Sequence, residues 1–255
     1  MKIKSVIVFI LFFIGIVSAQ SDALTQFSTI DALLNGLYDG QFSFGEVIRS
    51  GDFGIGTFNA LDGEMVLLDG EIFQITADGG VNLIDSSVTT PFSVSTFFDS
   101  DNHFKIDSCQ SLEELIKILD SKIVSGNIFY AVKISGNFLY VKTRSVPKQN
   151  KPYLPLTEAA KHQTVFEKEN LKGDLIGFYS PVYVKGINVP GYHLHFLSKD
   201  KTFGGHVLDV KIDKVECFLD EISSFKLILP DDDEFLNTDL SKDKEDELKS
   251  VEKGN

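Results

Sequence analysis

The chain has 255 residues, with 24 Lys and Arg against 37 Asp and Glu, a formal net charge of −13. Such an acidic balance argues against nucleic acid or an anionic membrane surface as a partner. Its length and 43% hydrophobic content are enough for one large domain or two small ones with a sizeable core.

Residues 1–19 read as a secretory leader rather than as fold. Lys2 and Lys4 form a basic start, Val6 to Val17 is apolar apart from Gly15, and Val17-Ser18-Ala19 supplies small residues for cleavage. The apolar run is short for a membrane span, and the residue after Ala19 is Gln20, not a cysteine that could carry lipid. The expectation is therefore a chain without a stable membrane anchor, secreted or periplasmic after cleavage near Ala19.

Thr29 to Tyr38 carries Ile30, Leu33, Leu34 and Leu37 on one stripe, the spacing of a short helix. From Gly51 the pattern becomes short apolar runs broken by Asp62-Gly63, Asp69-Gly70 and Asp78-Gly79, which predicts a β-meander over 53–84. Ser111 and Glu114 form a capping box before a helix whose apolar face is Leu112, Leu115, Ile116, Leu119 and Ile123. Strands at Ile128–Ile134 and Phe138–Arg144 follow, joined by Ser135-Gly136-Asn137. The polar stretch from Val146 to Pro152 then reads as a linker, dividing an N-terminal α/β portion (20–150) from a C-terminal β-rich portion (151–255).

The second portion opens with a helix start at Thr157-Glu158 running towards Phe166, then strands at about 174–184, 192–198, 205–213 and 215–228. The fold class this describes is α/β (α+β), two sheet-dominated portions with short helices. Residues 231–255 hold ten acids and four lysines, which reads as a solvated tail with a helix near Ser241–Lys253. The two cysteines, Cys109 and Cys217, fit either a disulfide or two buried thiols.

The chemistry-bearing residues cluster late in the chain. His193 and His195, two apart on a strand, project from one face, and His206 falls on the returning strand of a hairpin. A symmetric loop at 199–204 sets His195 opposite His206, within reach of one shared ion. Three neutral imidazoles with an open fourth position describe a catalytic zinc site, and the same donors also suit manganese, iron, nickel or copper. His103 and His162 lack such company and read as ordinary residues. A cupin also places His-x-His on a strand, but it wants a glutamate three or four residues later, where this chain has Ser198 and Lys199.

Glu64 shares a strand face with Val66 and Leu68 while Met65 and Leu67 fill the other. A buried carboxylate there needs a cation, a metal or a catalytic reason; at the strand's exposed mouth it needs none, and the pattern leaves both open. Arg144 lies on the face of Tyr140 and Lys142 and reads as solvent-facing. Glu252, deep in the acidic tail, is not singled out by composition at all.

The motifs Gly51-Asp52-Phe53-Gly54-Ile55-Gly56-Thr57-Phe58, Leu61-Asp62-Gly63-Glu64-Met65, Lys142-Thr143-Arg144-Ser145-Val146-Pro147, Gly186 through Phe196 and Gly204-Gly205-His206-Val207-Leu208 resemble the signatures of the α-acetolactate decarboxylases. The resemblance runs from about Thr25 to Glu252. It implies zinc (Zn2+) on His193, His195 and His206, a catalytic set of Glu64, Arg144 and Glu252, and a homodimer acting on 2-acetolactate as its small-molecule substrate. It also implies decarboxylation to (R)-acetoin through an enediolate, with no organic cofactor. If Glu252 belongs to the site, the acidic tail folds back over the histidines. The rival readings are another secreted metal-dependent β-keto-acid lyase, or a non-catalytic metal-binding protein, which would lack one or more of Glu64, Arg144 and Glu252.

Overall fold

The computed structural model describes residues 23–252, so the expected leader lies outside the described residues. The first half runs β1 (Ala23–Phe27), α1 (Ile30–Leu34), β2 (Phe42–Ser43), α2 (Phe44–Ile48), β3 (Phe53–Thr57), β4 (Glu64–Leu68), β5 (Glu71–Ile75), β6 (Val81–Leu83), β7 (Thr89–Thr90) and β8 (Ser93–Thr96). Then come β9 (Asn102–Cys109), α3 (Leu112–Asp120), β10 (Phe129–Ser145), α4 (Leu156–Ala159) and β11 (Thr164–Ser180). The chain ends with β12 (Gly191–Ser198), β13 (Gly204–Ile222), β14 (Ser224–Ile228), α5 (Asp233–Asn237) and α6 (Glu245–Glu252).

A seven-stranded sheet has the order β14-β1-β8-β3-β4-β5-β6, and a five-stranded sheet the order β10-β11-β12-β13-β9. Strand β13 also pairs with β10, so β10 to β13 close a circuit of pairings. The α+β class is as expected, and the predicted meander is the run β3-β4-β5-β6, paired antiparallel throughout. The helix at Ser111 also forms: the Ser111 hydroxyl accepts from the Glu114 amide at 3.2 Å, and Leu115 and Leu119 are buried. The reciprocal half of its cap differs, because the Glu114 carboxylate accepts from Gln110 instead of the Ser111 amide.

Several elements differ from the pattern reading, each for a physical reason. The helix at Thr29 is shorter, because Gly36 turns the chain out of it at φ +90°. Ser135-Gly136-Asn137 makes no hairpin: β10 runs straight through it, irregular at Gly136. A Cβ at Gly136 would meet the Lys214 carbonyl at 2.8 Å, so glycine lets a kinked neighbour approach there. The helix at Thr157 stops at Ala159 and a single tight turn, and the chain is already a strand at Thr164. The expected strands at 205–213 and 215–228 are one long β13, bent at Lys214, followed by β14.

The expected division at residues 150 and 151 does not separate the sheets. Strands β9 and β10 precede it yet belong to the five-stranded sheet, and β14 follows it yet pairs in parallel with β1. The cysteines are both free and buried. Cys109 lies opposite Ile212 and Cys217 opposite Phe104, which holds the two thiols several residues apart along adjacent strands.

The acidic tail is the largest departure from composition. Leu248 and Val251, three apart on α6, are buried in the main core cluster with residues of α1, α4 and the seven-stranded sheet. Two apolar side chains therefore dock a segment that is otherwise charged and exposed.

Strand β12, which carries two of the histidines, pairs with β11 across Gly177, whose backbone has φ +158°. A Cβ at Gly177 would stand 2.0 Å from the His193 carbonyl. Gly177→Ala is expected to lower stability by about 1–3 kcal/mol, read as a lower denaturation midpoint, with weaker metal retention because His193 sits at the contact.

Candidate metal centre

The site forms at the seam between the two sheets. Strand β12 projects His193 and His195 from one face, and His206 of β13 stands directly opposite His195. The predicted hairpin register is thus observed. The ring centroids are 5.0–5.5 Å apart. One candidate ligand atom from each of the three lies within 4.8 Å of the others.

The orientation of His195 is fixed from the other sheet. Its Nδ1 donates to the Met65 carbonyl of β4 at 2.8 Å, since a carbonyl can only accept. The proton on Nδ1 leaves Nε2 with a free lone pair, and that buried atom has no hydrogen-bond partner among the described residues. The Nδ1 atoms of His193 and His206 are in the same condition. Three buried, unsatisfied nitrogens around one point are costly unless something takes their lone pairs. The donor set therefore fits a metal ion. Burial pulls the His193 imidazole down to about 3, and holds His195 and His206 well below the usual range. All three are thus neutral, the form that ligates.

The other three expected residues converge on the same point. Glu64 opens β4 and Arg144 ends β10; Arg144 Nη1 donates to Glu64 Oε1 at 2.8 Å, and both residues are buried. Glu64 Oε2 also lies 3.5 Å from His195 Nε2. The buried branch of the Glu64 reading is therefore the observed one. The solvent-facing reading of Arg144 is overturned. Its end of β10 enters the seam, where Ser145 Oγ donates to the Ile75 carbonyl at 2.8 Å, so both faces of the strand are covered.

Glu252, the last residue of α6, brings Oε2 to 3.7 Å from His206 Nε2 and 3.9 Å from His193 Nε2. The two carboxylates thus approach the imidazoles from different elements. Burial pushes Glu64 up to about 7 despite the opposing pull of Arg144, and burial likewise pushes Glu252 up to about 7.

Two spaces adjoin the histidines. A chamber of ≈ 40 Å³ is walled by Thr57, Glu64, Arg144, His193, Val251 and Glu252 among others. On the far side an open cleft of ≈ 1050 Å³, between α3 and the C-terminal segment, reaches His206 and Glu252. Sequence reasoning missed Met65 and Thr57. Met65 acts through its backbone carbonyl, which any residue carries. Thr57 is tied by its hydroxyl to the Gly63 carbonyl at 2.7 Å, steadying the turn into Glu64.

A mixed α+β fold with three neutral imidazoles, two carboxylates and an arginine gathered at the seam of its sheets describes an enzyme with a three-histidine cluster that could hold a metal ion. The family model for alpha-acetolactate decarboxylase matches residues 24–242, and the chain belongs to that family of carboxy-lyases. An alpha-acetolactate decarboxylase of Methanosarcina mazei is 49% identical over 233 residues, 91% of this chain and 81% of that one. One from Bacillus subtilis strain 168 is 41% identical, over 89% of this chain and 88% of its own length. The crystal structure of alpha-acetolactate decarboxylase from Bacillus subtilis strain 168 superposes with a TM-score of 0.88 at 39% identity, covering 91% of this chain and all of that one. A Staphylococcus aureus protein of unknown function, similar to alpha-acetolactate decarboxylase, superposes at 0.84 with 27% identity, covering 90% of this chain and 98% of that one.

His195→Ala is expected to weaken metal binding by more than the roughly 10–100-fold that loss of an outer partner costs, measured as bound metal per chain after dialysis. Glu64→Ala strands the buried Arg144 and should cost about 3–5 kcal/mol of unfolding free energy in a urea titration.

Proposed function

We propose that the protein decarboxylates 2-acetolactate to (R)-acetoin with zinc held by His193, His195 and His206. The observation that carries this reading is the convergence of three neutral histidines with Glu64, Arg144 and Glu252 at one seam, where His193, Glu64, Arg144 and Glu252 also line a small chamber. The names of the relatives support the substrate.

Acetolactate is a β-keto acid with a hydroxyl on the carbon that bears the carboxylate. Losing carbon dioxide leaves an electron pair on that carbon, delocalised on to the neighbouring keto oxygen as an enediolate. Zinc at the histidines would supply Lewis acidity to the adjacent substrate oxygens. Arg144 contributes a permanent positive charge in a water-poor site, and its planar fork can orient a carboxylate or an oxyanion. The product forms when a proton reaches the carbon from one side only.

Burial raises both Glu64 and Glu252 above the ordinary carboxylate range, the direction that suits a group that must hold and then release a proton. Glu64 is the less free of the two, because Oε1 accepts from Arg144, an interaction that favours the carboxylate. Glu252 makes no such hydrogen bond to Arg144 among those observed, and we assign the proton to it. Delivery from a fixed position on α6 accounts for a single enantiomer.

The test is acetoin formation from racemic acetolactate by the purified protein, before and after metal removal. Rapid formation of one enantiomer, abolished by a chelator and restored by zinc, is the expected result. A folded, zinc-loaded protein with no turnover would overturn the reading and favour another β-keto acid. Glu252→Gln should keep its metal and lose about 10²-fold or more in rate; undiminished turnover would remove Glu252 from the proton step.

A further inference from the structure

The helix that brings Glu252 to the site is weakly attached. Between β14 and α6, the segment 229–244 is exposed or half-exposed except at Pro230. Helix α6 has eight residues, too few to hold a helix in water without help. Its apolar attachment is Leu248 and Val251. Its polar attachments are at its two ends: His206 Nε2 donates to the Glu252 carbonyl at 3.3 Å, and Lys185 Nζ donates to Asp243 Oδ2 at 2.8 Å and Glu245 Oε2 at 2.6 Å. Asp243 in turn accepts from the Glu245 amide at 3.0 Å, so the lysine grips the first turn of the helix.

The base of that grip is fixed. The loop after Lys185 is bound to α1, with the Ile30 and Asp31 amides donating to the Ile187 and Gly186 carbonyls, and Gln26 Nε2 also donates to Ile187. The same loop leads into β12 and His193. Lys185 therefore joins the loop that leads into a histidine-bearing strand to the helix that carries a carboxylate.

What the helix closes is visible in the two spaces. Glu252 borders both, and Val251 borders the inner chamber. At ≈ 40 Å³ the chamber has room for about three waters, smaller than acetolactate. The far cleft is open and much larger. The end of α6, at Glu252, thus lies between a small chamber and a large cleft.

We infer that Lys185 is a positioning residue, whose clamp on Asp243 and Glu245 holds the C-terminal helix, and with it Glu252, as the wall between the chamber and the cleft. The inference rests on the role given to Glu252 above. Substrate passes when the wall swings out, and the clamp returns Glu252 to the histidines. Because the ion pairs are partly exposed, salt weakens them.

The experiment compares the zinc-loaded full chain with Lys185→Ala, Lys185→Arg and, as a control, Lys199→Ala. Hydrogen exchange is followed at the amides of α6 and of β10, β12 and β13. Lys185→Ala is expected to speed exchange in α6 by about three- to tenfold, leaving the strands and metal content unchanged, with Lys185→Arg and Lys199→Ala close to the parent. High salt should bring the parent to the Lys185→Ala level and leave that variant unmoved. In acetolactate turnover the variant should lose kcat with little change in KM. Equal α6 exchange in the parent and Lys185→Ala would overturn the inference, as would faster exchange throughout the strands. The exchange measurement needs no turnover, so an inactive protein would defeat the proposed reaction and still leave the clamp decided.

Discussion

The hydrogen bond from His195 to the Met65 carbonyl spans the seam between the two sheets, and most of the site follows from it. It sets the tautomer of the imidazole, turns the ring, and commits Nε2 to the space between the strands. The adjacent residue, Glu64, makes the second link across the seam through Arg144. One short stretch of β4 thus supplies a backbone acceptor and a carboxylate to a strand circuit belonging to the other sheet. Met65 meanwhile buries its side chain on the opposite face of β4, in a separate apolar cluster. Sliding β4 by one residue would exchange those faces and undo both links.

Burial at the seam also governs the charges. Three imidazoles stay neutral because no charged form is affordable there. Arg144 is a buried cation that needs a counter-charge, and Glu64 is placed to provide one. Glu252 has no comparable partner, and burial dominates its behaviour. Two glutamates at one centre thereby stand in different surroundings: one tied to a permanent cation, the other presented by a helix end. A divalent cation among the histidines would shift both towards the carboxylate form. The arginine pulls both in that direction but is hydrogen-bonded to Glu64, which is why the two residues are not interchangeable.

What the sequence made legible was local. The meander, the capped helix at Ser111 and the histidine hairpin all follow from periodicity and turn chemistry within a few residues. His193, His195 and His206 are readable because an i, i+2 pair and its cross-strand neighbour need only one hairpin to meet. Arg144 and Glu252 are different. Arg144 stands on an apparently polar strand face and becomes buried only because another sheet covers that end of β10, contacts some seventy to eighty residues apart in sequence. Periodicity carries no information about such covering. Glu252 was indicated by resemblance, not by composition, and the family match itself ends at residue 242. Strand pairing crosses the polar stretch from Val146 to Pro152 for a related reason: a polar stretch marks a place where the chain is exposed, not where strand pairing stops.

The C-terminal segment shows how little apolar content is needed to place a functional group. Ten acids in its last twenty-five residues make it look solvated, and most of it is. Leu248 and Val251 are three apart, on one side of a helix, and that spacing alone lets both enter the core. Glu252 follows immediately and is carried inward with them. A longer apolar stripe would fix the helix more firmly but would also make the wall of the chamber harder to open. An enzyme whose chamber is smaller than its substrate needs a wall that yields. Holding that wall with two buried side chains, one hydrogen bond from His206 and a partly exposed lysine clamp keeps the energy of opening low, while the bond from His195 to Met65 that orients the seam lies outside the moving part.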